Sequence, residues 1–239
     1  MYHKTCLISA AILFSAVADA APVGERGLHL GLTGGYVGGT EEGYETPIGA
    51  MGRYSQRLEP EGGAFGLVAG YDRVLGERFL AGLEVDAEYR DMDETSVQYL
   101  NGVPTSVANN GYVDPTEFEA DWAFTVRPRA GMLFNEKRTL VYATGGLAIA
   151  DVERSYGCVG NCGFAPGEPT KVTQDNWELG WTVGAGVEHD FGPIAARVEY
   201  RYTDYGDTNV NLSALYSPIT RENQSYDESG VRAALLWRF

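Results

Sequence analysis

Apolar and polar positions alternate with a period of two along most of the chain. At the end, Val231, Ala233, Leu235, Trp237 and Phe239 interleave with Arg232, Ala234, Leu236 and Arg238. Upstream, Ala196, Val198, Tyr200 and Tyr202 alternate with Arg197, Glu199, Arg201 and Thr203, and Leu179 to Val187 alternate with Glu178 to Glu188. Trp122, Phe124, Val126, Ala130, Met132 and Phe134 alternate with Asp121, Thr125, Arg127, Arg129 and Gly131, and Leu83 to Tyr89 with Glu84 to Arg90. A two-residue period puts successive side chains on opposite faces, so each run predicts a strand. Glycine-rich, weaker versions at 27–38 and 63–73, with 139–151, bring the prediction to eight strands. The run at 139–151 fits either facing: Tyr142, Thr144 and Gly146 outward, or Val141, Ala143 and Leu147. Pro128 removes one ladder donor inside its strand, which predicts a bulge or bend there.

The connections alternate in length. Residues 74–78, 135–138 and 192–193 are tight, whereas 40–62, 91–119, 152–176 and 207–228 are long. Short turns on one rim and long loops on the other are the pattern of an all-β, eight-stranded antiparallel up-and-down transmembrane β-barrel. In a soluble barrel the apolar face points inward; in lipid the faces exchange. Tyr71, Tyr89, Trp122, Trp181, Tyr200, Tyr202 and Trp237 lie near strand ends on the apolar face, where interfacial girdles belong, and the other face combines glycine with both charge signs. A secreted soluble barrel around a ligand cavity is the competing arrangement. The membrane arrangement places Asp72, Glu84, Asp86, Glu88, Asp121, Glu178, Glu188, Asp190 and Glu199 in the lumen with Arg90, Arg127, Arg129, Arg197, Arg201, Arg232 and Arg238. Eight strands leave only room for side chains, so these charges are expected to pair and plug the lumen.

The N-terminus adds a targeting segment. Lys4, an uncharged run over 5–18 and Ala18-Asp19-Ala20 predict a cleaved secretory signal at 1–20, leaving 21–239 as one barrel domain. Cys158 and Cys162 remain, and a C-x3-C spacing in an exported chain predicts a disulfide, with a metal pair as the weaker alternative. The net charge of −15 opposes nucleic-acid binding, and the four long connections, counted over 40–62, 91–119, 151–176 and 204–228, carry the whole acidic excess of the mature chain.

No cofactor, metal or catalytic constellation emerges. His189, beside Glu188 and Asp190, lacks a nucleophile motif and reads as a lumen or rim histidine. Glu41-Glu42 and Asp91-x-Asp93-Glu94 have no calcium-loop spacing and read as solvated acidic loops rather than cation sites bridging lipopolysaccharide. The glycines at 31–39 precede no helix, so strand curvature explains them better than phosphate binding.

Gly180-Trp181-Thr182-Val183-Gly184-Ala185-Gly186-Val187-Glu188, then Val198-Glu199-Tyr200-Arg201-Tyr202-Thr203-Asp204-Tyr205-Gly206, resemble the sixth and seventh strands of the eight-stranded outer-membrane barrels common in alphaproteobacteria. These are related to the opacity proteins and the barrel of the outer-membrane protein A type. Ala143 to Ala148 resembles their fifth strand and Trp237-Arg238-Phe239 their closing strand; the likeness covers the mature chain and departs in the long loops. The resemblance implies an outer-membrane location and a terminal assembly signal, Val231, Leu235, Trp237 and Phe239, read by the insertion machinery. Its expected partners are outer-membrane lipid and lipopolysaccharide, with a surface ligand for the loops left unnamed. The expected role is non-enzymatic, in envelope structure and surface contact through four acidic loops outside, with periplasmic termini. A small-solute channel is the alternative.

Overall fold

The computed structural model describes residues 27–45, 54–104, 115–157, 171–210 and 222–239, and these residues contain strands and turns but no helix. The strands are β1 (Leu28–Glu45), β2 (Tyr54–Leu58), β3 (Glu61–Leu75), β4 (Phe79–Val97), β5 (Tyr99–Leu100), β6 (Val103–Pro104), β7 (Pro115–Phe134), β8 (Thr139–Gly157), β9 (Lys171–Asp190), β10 (Ile194–Val210) and β11 (Glu222–Arg238). Neighbours in sequence pair antiparallel around the ring β1-β3-β4-β7-β8-β9-β10-β11, and β11 pairs with β1 from His29–Arg238 to Glu45–Glu222. The sheet is thereby closed on itself as an eight-stranded barrel, with no edge left at its middle. β2 continues the line of β3 beyond Glu59-Pro60, pairing with the far end of β1, and β5 and β6 extend that corner.

The chain ends and the tight turns share one rim. Phe239 N–H donates to the Leu28 carbonyl at 2.9 Å, and the Asn135–Lys137 turn runs through three left-handed residues before Arg138 N–H closes on the Asn135 carbonyl at 3.0 Å. Outward positions form a band of Leu30, Leu32, Leu67, Leu83, Val85, Val126, Val141, Leu147, Val183, Val187, Val198, Val231 and Leu235, all exposed. Aromatic rings border it on both sides. Phe79, Phe134, Phe191 and Trp237 lie toward the tight turns, while Tyr89, Trp122, Phe124 and Trp177 make a chain of ring contacts 5.4 to 6.3 Å apart toward the other rim. Exposed apolar surface flanked by aromatics requires an apolar solvent, which settles the direction of the faces.

Four features differ from expectation or resolve an open one. The strand at 139–157 faces outward with Val141, Ala143 and Leu147, because Tyr142 and Thr144 are buried. Pro128 causes no register shift; it stays in line with Leu83, and the irregularity lies instead between Ala120 and Ala123. There Asp121 and Trp122 both face outward between two buried alanines, so Asp121 leaves the lumen to which alternation alone assigns it. A bulge adds one residue and inverts the facing beyond it. Finally, much of the chain expected as long loop is strand. β4, β7, β8 and β9 have 19 to 20 residues, about twice what crosses a bilayer as tilted strand. The barrel wall therefore continues past the apolar band on the side opposite the tight turns.

Candidate functional site

Inward side chains fill the barrel. Ten carboxylates and eight guanidiniums are buried among the described residues, with His29 and without a lysine. All nine residues of the expected network, Glu84, Asp86, Glu88, Arg127, Arg129, Arg197, Glu199, Arg201 and Arg232, are buried and in contact through ion pairs. The extended strands add Glu41, Arg154 and Glu228. These were missed because the segments carrying them read as loop, although Arg154 stands in phase with Tyr142, Thr144 and Val152 on one strand face.

The pairs are arranged in tiers. Nearest the tight turns, Arg129 binds Asp72 through two nitrogens, Nε at 2.8 Å, and reaches Glu84 and Glu188 at 3.1 Å each. Arg238 bridges Glu188 and Asp190, the latter at 2.9 Å, and His29 Nε2 lies 2.8 Å from Glu84. Arg197 joins Glu84 to Glu188 across the lumen, with Nη1 3.2 Å from the first and Nε 3.2 Å from the second. In the next tier Arg127 spans Asp86 and Glu199, at 2.7 Å each, and Arg201 spans the same two carboxylates at 3.1 and 2.9 Å. Tyr142 donates to Glu199 at 2.5 Å, Thr125 donates to Asp86 at 2.6 Å, and Arg232 grips Glu88 with Nε at 2.8 Å. Arg90 bonds Glu228, which also accepts from Tyr226 at 2.9 Å. Each planar guanidinium presents several donors at fixed angles, so one arginine satisfies carboxylates from different strands where a lysine would serve a single point.

The space left between these groups is small. A cavity of about 10 Å³ lies among Asp86, Arg127, Arg197, Glu199, Arg201 and Arg232, roughly the room for one water. Apolar tiers reinforce the closure: Leu80, Leu133, Leu140 and Tyr142 toward the tight turns, and Val37, Leu58, Met92, Phe118, Val152 and Tyr226 toward the far rim. An apolar tier within the lumen is absent from the simple picture of one charged face. Beside it, Arg154 joins Glu41 at 3.0 Å and Glu178 at 2.5 Å.

The remaining expected residues are also placed. Val231, Leu235, Trp237 and Phe239 all face outward, on the strand that closes the ring. His189 is half-buried at the rim, with Nδ1 2.9 Å from the Thr139 hydroxyl and its ring against Phe191. Cys158, Cys162 and the signal segment lie outside the described residues.

Outside the lumen, one row of acids stands out. Asp93, Glu119, Glu153 and Asp175 are direct cross-strand neighbours on β4, β7, β8 and β9, all exposed, just past the aromatic border. Like charges directly opposite repel, and partial burial followed by Glu153, Asp121, Glu117 and Asp93 raises the Glu119 carboxyl above its usual range.

A closed eight-stranded ring, an apolar outer band with aromatic borders and a charged lumen define an outer-membrane β-barrel protein. The comparisons with known proteins agree: residues 7–239 match the family model for the outer membrane protein beta-barrel domain, and the chain belongs to that family. It is 29% identical over 234 residues to the 31 kDa outer-membrane immunogenic protein of Brucella melitensis, covering 92% of this chain and 87% of that one. The 22 kDa outer membrane protein of Rhizobium leguminosarum is 34% identical over 120 residues, 49% of this chain and 47% of the relative. Among solved structures, the outer membrane protein OprG from Pseudomonas aeruginosa superposes with a TM-score of 0.51 at 10% identity, covering 92% of this chain and all of that one, a likeness of fold. The protein is located in the outer membrane.

Proposed function

We propose that this chain is a non-enzymatic, non-conducting barrel whose plugged lumen makes it a rigid support for an acidic surface held outside the cell. In this reading the tight turns and both termini lie in the periplasm, and the extended strands carry the long connections outward. Outer-membrane lipid and lipopolysaccharide surround the apolar band, and the insertion machinery reads Phe239 during assembly. The observation that carries the reading is the filled lumen: tiers of paired charge and apolar side chains leave a gap of about 10 Å³ at the middle. Opening such a path means separating buried ion pairs, each costing several kcal/mol. The designation of the Brucella relatives as immunogenic supports an exposed outer surface. Swelling of liposomes containing the purified barrel tests the proposal. Liposomes with this protein should swell no faster in small sugars or amino acids than empty ones, and rapid swelling would favour the small-solute channel.

A further inference from the structure

At and beyond the aromatic tier of Phe118, Tyr205 and Tyr226, the far end of the lumen is built differently from the middle. Phe118 and Tyr226 pack with ring centroids 4.9 Å apart, and Tyr205 stacks on Tyr226 at 5.2 Å. Beside these rings, with Glu41 opposite Tyr226 and Arg154 opposite Phe118, two carboxylates, Glu41 and Glu178, face one cation, Arg154, and among the described residues neither has another ion-pair partner. The cup thus holds two carboxyl groups to one cation, and burial pushes the Glu41 carboxyl up to about 7 in spite of Arg154. Its polar groups are incompletely bonded as well: Glu41 Oε2, Gln56 Oε1, Thr116 Oγ1 and both polar side-chain atoms of Gln224 are buried with no hydrogen-bond partner. Gln56, Gln224 and Thr116 share one level, and Glu41 lies one inward position away along β1, opposite Tyr226 and Leu58. Gly43 pairs across to Gln224 on one side and Gln56 on the other, and Thr116 pairs with Tyr156, whose hydroxyl accepts from Gln56 Nε2 at 3.3 Å. A buried unpaired polar atom costs about 1–3 kcal/mol, and a buried unpaired charge costs more, so this concentration calls for an occupant.

The wall beside the cup is open. The β9–β10 ladder ends at Trp181–Asp204, although β9 reaches back to Lys171 and β10 runs on to Val210. Gly206, left-handed with φ of 71°, sits in an irregularity between Asp204 and Asp207, after which β10 pairs with β11 alone. The resulting cleft measures about 360 Å³ and is lined by Asn176, Glu178, Tyr205, Asp207 and Thr208, among others. Thr208 is the direct neighbour of Gln224, so the cleft adjoins the cup.

We propose that this cup binds a small primary ammonium solute, such as an alkylamine, admitted through the cleft between β9 and β10. An ammonium has three donors and no acceptor. The free oxygens of Glu41, Gln56 and Gln224 are three acceptors, and the Glu41 carboxyl, once ionised, supplies the countercharge. An anion meets repulsion here, and a neutral polyol leaves the charge unbalanced. The aromatic rings beside it suit a cation further, as Arg154 already lies 5.7 Å from the centre of the Phe118 ring.

Calorimetric titration of the folded barrel in detergent with n-butylamine tests this, with tetramethylammonium as the cation that lacks N–H donors. Saturable one-to-one binding is expected, weakened at least about tenfold in Glu41→Gln, because one charge-assisted hydrogen bond is lost. Gln224→Leu, which changes no charge, should weaken it less while leaving the fold intact. Tetramethylammonium should not compete. Absence of saturable binding, undiminished affinity in Glu41→Gln with a native circular-dichroism spectrum, or equal binding of tetramethylammonium would each overturn the site.

Discussion

Arg197 shows how much one lumen residue holds. It contacts Glu188 on the neighbouring strand and Glu84 across the lumen, and lies 5.5 Å from the Tyr142 ring centre. Arg197→Ala leaves those carboxylates to share Arg129, with Glu84 keeping His29 and Glu188 keeping Arg238. Removing one member of a buried pair typically costs about 3–5 kcal/mol, and urea unfolding of the detergent-folded barrel should show a loss of that order. Arg73→Ala, at an exposed position near the tight turns, should change nothing measurable. Gly146 gives a second contrast: a Cβ there would lie 2.1 Å from the Val126 carbonyl oxygen, whereas one at Gly38 meets nothing within 4 Å. Thermal melting should therefore fall clearly for Gly146→Ala and hold for Gly38→Ala. The central charges were legible in the sequence because alternation assigns each a face. Asp121 was not, because the alternation changes phase at the bulge and the phase of the run beyond it assigns Asp121 to the wrong face.

At the level of the strand, alternation located every member of the barrel but not its length. The pattern reads clearly where one neighbour is lipid, since every second side chain must then be apolar. Past the aromatic border the outer face turns acidic and the inner face mixes apolar with charged side chains, so no regular apolar stripe marks the strands, and Glu41, Arg154 and Glu228 look like loop residues although they point into the lumen. The acidic row on the extended strands has its own consequence. A carboxyl raised in the folded state favours its protonated form, so the cost of ionising Glu119 is absent below the unfolded carboxylate range and grows as pH rises through the folded value. Glu119→Gln should therefore raise the melting temperature at about pH 8 and lose that advantage toward about pH 4, near and below unperturbed carboxylate values. An advantage independent of pH would mean that Glu119 is not under charge repulsion. For the closing strand, deletion of Phe239 should leave the protein in the periplasm; undiminished insertion would reduce Phe239 to an interfacial anchor.

For the whole molecule, the decisive property is that the lumen is filled rather than merely narrow. Ten buried carboxylates face eight guanidiniums and one histidine. The ion pairs join opposite walls, so strands far apart in the ring are tied directly, as Arg197 on β10 is to Glu84 on β4. In the proposed function such cross-ties resist breathing of the barrel and serve as a fixed base for surface segments. They also state how the closure fails: removing one partner frees volume and leaves hydrated charge along the axis. Single-channel recording in a planar bilayer therefore tests the account most directly, comparing wild type with Arg197→Ala and Glu84→Ala. The account predicts a silent wild-type protein and openings that appear in the two variants; large, stable openings in the wild type would contradict it.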